Sequence, residues 1–185
     1  MVDEALKQAE QKMQKAIEVA REEFGGVRTG RASPQLLQRL TVDYYGTQTP
    51  MQQLASFSVP EPRLLVIHPY DRNAMQMIEK AIQASDLGLN PSNDGTVIRL
   101  SFPQLTEERR KDLVKVIRDR AEHGKVAVRN VRRHAKDEID KEMKAGKVSE
   151  DQGHRAEKEL QQLTDKYVAE IDQMLERKES ELMEV

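Results

Sequence analysis

The side chains best suited to proton transfer or metal ligation are the four histidines, His68, His123, His134 and His154, and their spacing supports neither role. A helical metal site needs a second ligand three or four residues away on the same face. His123 and His134 share a face but lie about three turns apart. With no cysteine in the chain, thiolate metal or redox sites and a disulfide framework are excluded. Gly25-Gly26-Val27-Arg28-Thr29-Gly30 has the glycine content of a phosphate loop but lacks the lysine and hydroxyl of a Walker sequence, so it reads as a helix terminus and joint. No nucleophile elbow is present, and the carboxylates of the C-terminal segment alternate with lysines as on a solvated helix face. The residues point away from enzymatic work: no catalytic residue, no metal and no cofactor is expected.

What remains is charge. The net charge of −2 conceals an asymmetry: residues 109–136 hold eleven basic and three acidic groups, whereas residues 137–185 hold eight basic and fifteen acidic ones. Lys111, Lys115, Arg118, Lys125, Arg129, Arg132 and Lys136 follow helical spacing one residue beyond an apolar stripe. Two readings stay open. Long basic side chains can border a helical core and pair with the acidic last segment. Alternatively they match the regularly spaced phosphates of folded nucleic acid, a reading favoured by Arg129, Arg132 and Arg133 crowding one turn. Few aromatics interleave them, so contacts to the backbone of structured RNA are expected rather than base stacking.

The elements that must carry this stripe follow from periodicity. All seven prolines and five of the seven aromatics lie within residues 34–103, which separates two proline-free flanks from a middle segment of different character. Leu6, Ala9, Met13, Ile17, Ala20, Phe24 and Val27 draw a helical stripe through the first flank. Leu113, Ile117, Gly124, Val128, Val131, Ala135 and Ile139 draw a second, with Thr106 placed to cap its start. Gly124 costs that helix about 1 kcal/mol relative to Ala unless a neighbour packs closely there. Lys144-Ala145-Gly146-Lys147 reads as its stop. Ser149 to Gln152 has capping-box spacing and opens a third stripe of Ala156, Leu160, Leu163, Tyr167, Ile171, Met174 and Leu182.

Three stripes that cannot bury themselves alone imply an elongated antiparallel three-helix bundle. Gly25 and Gly26 weaken the end of its first helix. In the middle segment, residues 40–45, 54–59, 63–68 and 96–102 read as strands, residues 73–84 as a helix, and Asn90-Pro91-Ser92-Asn93-Asp94-Gly95 as turn chemistry. The fold class is therefore α+β, with a small β/α/β domain over residues 31–104 inserted into a bundle formed by 1–30 and 105–185. The longest aliphatic run, residues 64–67, is far short of a membrane span. The acidic start enters an amphipathic pattern at once, unlike a signal peptide. A cytoplasmic protein that does not meet a membrane is expected.

Several motifs in order carry a resemblance. Val27-Arg28-Thr29-Gly30-Arg31-Ala32-Ser33-Pro34 is followed by Val42-Asp43-Tyr44-Tyr45-Gly46 and Ser85-Asp86-Leu87-Gly88-Leu89-Asn90-Pro91. Then come Leu105-Thr106-Glu107-Glu108-Arg109-Arg110-Lys111 and Val128-Arg129-Asn130-Val131-Arg132-Arg133. Together they resemble the ribosome recycling factor family over essentially the whole chain. The resemblance implies an L-shaped monomer that binds the post-termination 70S ribosome. With elongation factor G and GTP it would split the subunits, releasing mRNA and tRNA, the GTPase doing the hydrolysis. It also implies contacts to large-subunit ribosomal RNA from Arg28, Gly30, Arg31, Arg110, Arg129, Arg132 and Arg133. The hinge it implies comprises Gly30, Arg31, Ala32, Ser33, Pro34, Pro103, Gln104 and Leu105. The competing reading is a coiled-coil adaptor or chaperone cofactor whose small domain holds a protein partner.

Overall fold

The computed structural model describes residues 1–38 and 40–184. In chain order its elements are α1 (Val2–Gly25), α2 (Gln35–Gln38), β1 (Thr41–Tyr44), β2 (Thr47–Pro50), β3 (Ala55–Glu61), β4 (Leu64–Pro69), α3 (Met75–Ala84), β5 (Pro91–Asn93), β6 (Ile98–Ser101), α4 (Glu107–Lys144) and α5 (Glu150–Met183). They form two compact units, Met1–Thr29 with Glu107–Val185, and Gly30–Thr106.

In the first unit the apolar stripes become the core. Leu6, Ala9, Met13, Ile17, Ala20 and Phe24 are buried on α1, Leu113, Ile117, Val128, Ala135 and Ile139 on α4, and Ala156, Leu160, Tyr167, Ile171 and Leu182 on α5. Helix directions follow from cross-helix pairs. Arg118 bonds Glu179 and Arg132 bonds Gln161, so α4 and α5 run antiparallel. Tyr167 donates to Glu10 while Arg21 pairs with Glu170, so α5 runs alongside α1. At 38 residues α4 spans about 57 Å.

Gly124 has the close neighbours that justify a glycine: a Cβ there would lie 3.2 Å from Ile171 Cδ1 and 3.5 Å from Ala20 Cβ. Side chains of both α1 and α5 reach it. Three buried positions of α4 and α5 escaped the stripes, Ala121, Gly153 and Thr164. The Thr164 hydroxyl donates to the Leu160 carbonyl at 2.8 Å, which lets a polar side chain sit in the core.

The α4–α5 connection is built as its residues dictate. Gly146 takes φ +71°, and the N–H groups of Gly146 and Lys147 return to the carbonyls of Met143 and Glu142 at 3.0 Å, the double bond of a glycine-terminated helix. The Ser149 hydroxyl then accepts from Gln152 N–H and the Gln152 side chain from Ser149 N–H, completing the capping box. At the other end of the bundle Arg120 donates to the Glu23 carbonyl at 2.5 Å, satisfying an orphan acceptor at the C-terminus of α1.

The second unit is a four-stranded antiparallel sheet in the order β3-β4-β6-β5, with a separate β1-β2 hairpin. On β6 the alternation is clean, Ile98 and Leu100 buried and Arg99 and Ser101 exposed. Leu65 and Ile67 of β4 and Ile78 and Ile82 of α3 join the same core, together with Leu37, Val42 and Met51. Besides α2, a helical turn over Gln35–Gln38 that the sequence reading does not assign, three elements differ from the sequence expectation. β2 was not foreseen; it forms because Tyr45 (φ +51°) and Gly46 (φ +83°) make a tight turn that folds residues 47–50 back on β1. β5 occupies residues read as a turn, since Pro91, Ser92 and Asn93 pair with Leu100, Arg99 and Ile98. The helix expected from residue 73 begins as a 3-10 turn over Arg72–Ala74, where Asp71 captures the Asn73 N–H at 2.9 Å.

Candidate nucleic-acid interface

The basic stripe of α4 divides in two along its length, and opposite α5 residues decide where. In the first half Arg118 Nε donates to Glu179 at 2.7 Å, Lys125 pairs with Asp172, and Lys111 pairs within its own helix with Glu107 at 3.3 Å. There the acidic last helix neutralises the stripe, as the bordering-charge reading expects.

In the second half the pairing with α5 carboxylates stops among the described residues. Arg129, Arg132, Arg133 and Lys136 of α4 line an open groove of 690 Å³ with His154, Glu157, Lys158 and Gln161 of α5. Five cations thus face one carboxylate. Arg129 reaches back to Glu122 at 3.2 Å, an exposed pair of little energetic weight. Arg132 bonds the neutral amide of Gln161 at 2.8 Å, and among the described residues it has no ion-pair partner. Arg133, Lys136 and Lys158 likewise make no ion pair among the described residues. Unpaired cations on both walls of a groove repel one another, and an anion with charges at nanometre spacing relieves that repulsion. A phosphodiester backbone is such an anion. The groove has no catalytic arrangement, and no cluster of His, Asp and Glu able to hold a metal occurs among the described residues. His68 shares a hydrogen bond with the Ser58 hydroxyl at 3.1 Å in the other unit.

A family profile described as ribosome recycling factor matches residues 20–183. The chain belongs to the ribosome recycling factor family. It is 62% identical to the ribosome-recycling factor of Thermobifida fusca and 60% identical to that of Acidothermus cellulolyticus, in each case across 185 residues and 100% of both chains. Among solved structures it is similar to the solution structure of a ribosome recycling factor, with TM-score 0.83 and 46% identity over 100% of this chain and 98% of that one. A second neighbour is described as models for the T. thermophilus ribosome recycling factor and the E. coli elongation factor G bound to the E. coli post-termination complex. It matches with TM-score 0.71 and 48% identity over 100% of both chains. The α+β architecture read from the sequence, a three-helix bundle with an inserted β/α/β domain, is the architecture of these recycling factors.

Within this recycling factor fold the residues singled out from sequence fall into separate places. Arg129, Arg132 and Arg133 share the groove. Arg110 sits in the first turns of α4, about 28 Å along the helix from Arg129. Arg28 follows α1 at that same end of the bundle, because α1 and α4 are antiparallel. Gly30 and Arg31 belong to the second unit. The α5 wall of the groove, Lys158 and Gln161 above all, was not legible beforehand: which residues of α5 face Arg132 depends on the register of two helices, and spacing within either one does not encode it.

Proposed function

We propose that the chain recycles ribosomes: it binds the post-termination ribosome and, with elongation factor G and GTP, splits it into subunits so that mRNA and tRNA leave. The observation that carries its binding mode is the groove in which, among the described residues, Arg132, Arg133, Lys136 and Lys158 make no ion pair, while Arg118 and Lys125 along the same helix are neutralised by α5. In this reading Arg129, Arg132 and Arg133 contact the backbone of large-subunit ribosomal RNA, and Arg28, Gly30, Arg31 and Arg110 make further contacts from the other end of the bundle and the crossing beside it. The protein does no chemistry itself; GTP hydrolysis belongs to its partner. The work is cytoplasmic, where ribosomes are, and no helix among the described residues is long and apolar enough to cross a membrane.

The chain passes twice between its units, and Gly30, Arg31, Ala32, Ser33, Pro34, Pro103, Gln104 and Leu105 form the hinge in this reading. Its ends are anchored. Ala32 N–H donates to the Pro62 carbonyl and Phe102 N–H to the Arg63 carbonyl, both at 2.8 Å, so both crossings are stitched to one turn of the sheet. The test of the binding mode is Arg132→Glu in a ribosome-pelleting assay at several salt concentrations. Affinity should fall at least tenfold, about 1.4 kcal/mol, with the melting temperature nearly unchanged. Wild-type affinity in the variant refutes the RNA-binding assignment of the groove.

A further inference from the structure

Arg132 differs from Arg118 and Arg129, its neighbours in the basic stripe, in what holds it. Arg118 donates to a carboxylate of α5 and Arg129 to a carboxylate of its own helix, whereas Arg132 donates Nη1 to the side-chain oxygen of Gln161 at 2.8 Å. The Gln161 amide is itself fixed, its nitrogen donating to Asp165 Oδ1 at 2.8 Å, one turn further along α5. The orientation of that amide is unambiguous, because a guanidinium can only donate and an ionised carboxylate can only accept. Asp165, Gln161 and Arg132 therefore form a relay in which the carboxylate orients the amide and the amide orients the guanidinium. The aspartate stays one residue removed from the positive charge.

A neutral acceptor suits a cation that must bind an outside anion. A carboxylate at position 161 would hold Arg132 as firmly but would neutralise it, as Glu179 does for Arg118. No acceptor at all would leave a long, rotamer-rich side chain to be ordered at the moment of binding, at a cost in affinity. We infer that Gln161 is a positioning residue for RNA binding, preorganising the Arg132 guanidinium toward a phosphate without cancelling its charge. This inference rests on the reading of the groove as the ribosomal RNA contact.

The experiment is a double-mutant cycle on the full chain, with affinity for 70S ribosomes measured across a salt series and melting temperature recorded for each variant. Gln161→Leu should weaken binding about threefold to tenfold in the wild type and by less than about twofold when Arg132 is already alanine. Gln161→Glu keeps the acceptor and should leave the melting temperature unchanged or higher. It should nevertheless weaken binding and reduce the slope of log affinity against log salt by about one, since one fewer phosphate is neutralised. A merely structural glutamine would not move that slope. Full affinity in Gln161→Leu, an equal loss in the Arg132→Ala background, or an unaltered slope in Gln161→Glu each overturns the positioning role. Full affinity in Arg132→Ala itself would instead bring down the groove reading, and this inference with it.

Discussion

Gly153 in the first turns of α5 is buried against Met143 near the end of α4, and the pair makes a quantitative test of how the two helices are locked in register. A Cβ built at residue 153 would lie 2.0 Å from Met143 Sδ, 2.8 Å from its Cγ and 3.0 Å from its Cε. The flexible, half-buried Met143 side chain would have to change rotamer, and overpacking of this kind typically costs about 1–3 kcal/mol. Replacing glycine by alanine inside a helix returns about 1 kcal/mol. Gly153→Ala should therefore destabilise the chain by roughly 1 kcal/mol on balance. With Met143→Ala already in place the obstruction is gone and only the helical gain remains, so the same substitution should stabilise by up to about 1 kcal/mol. The expected coupling is about 2 kcal/mol, far outside the roughly 0.5 kcal/mol within which independent sites add. Urea denaturation of the four proteins, with the m-value constant across the set, measures it. The same sign of effect in both backgrounds would refute the reasoning.

Two further outcomes test local features. Gly30 has φ +76° and a Cβ there would sit 3.1 Å from Leu105 Cγ; Gly30→Ala should cost about 1–2 kcal/mol from the left-handed backbone alone, read as a lowered melting temperature. The Asp94 carboxylate accepts N–H groups from Val97 and Thr96 at 2.9 Å and a guanidinium N–H from Arg99 at 2.7 Å, which hold its pKa well below the usual carboxylate range. A depressed folded-state pKa means that its stabilisation is full above the unfolded value of about 3.9 and is lost as pH falls through the folded one. Asp94→Asn should thus be less stable than wild type at pH 7, with the difference closing only in strong acid; a difference that grows on acidification contradicts this.

The bundle was legible in the sequence because amphipathic helices advertise their buried faces: every residue of the first stripe, from Leu6 to Val27, is buried. The capping box at Ser149 and the left-handed stop at Gly146 were legible for the same reason, local chemistry fixing local geometry. β5 was not, because Pro91-Ser92-Asn93 has turn composition and becomes a strand only through its partner β6. The site was half legible. The density of arginine at residues 129–133 picked out the turn of α4 that lines the groove, yet spacing alone could not divide the stripe by its pairing with α5. That division depends on Glu179, Asp172 and Gln161 arriving opposite residues 118, 125 and 132, which is a consequence of helix register.

The central claim is that this chain recycles ribosomes, and the most direct measurement is light scattering of post-termination 70S complexes mixed with the purified protein. With elongation factor G and GTP both present, scattering should fall as subunits separate, and leaving out the chain, the elongation factor or the nucleotide should abolish the fall. Scattering that stays at the level of intact 70S particles with all components present, under conditions where the protein is folded and ribosome-bound, would contradict it.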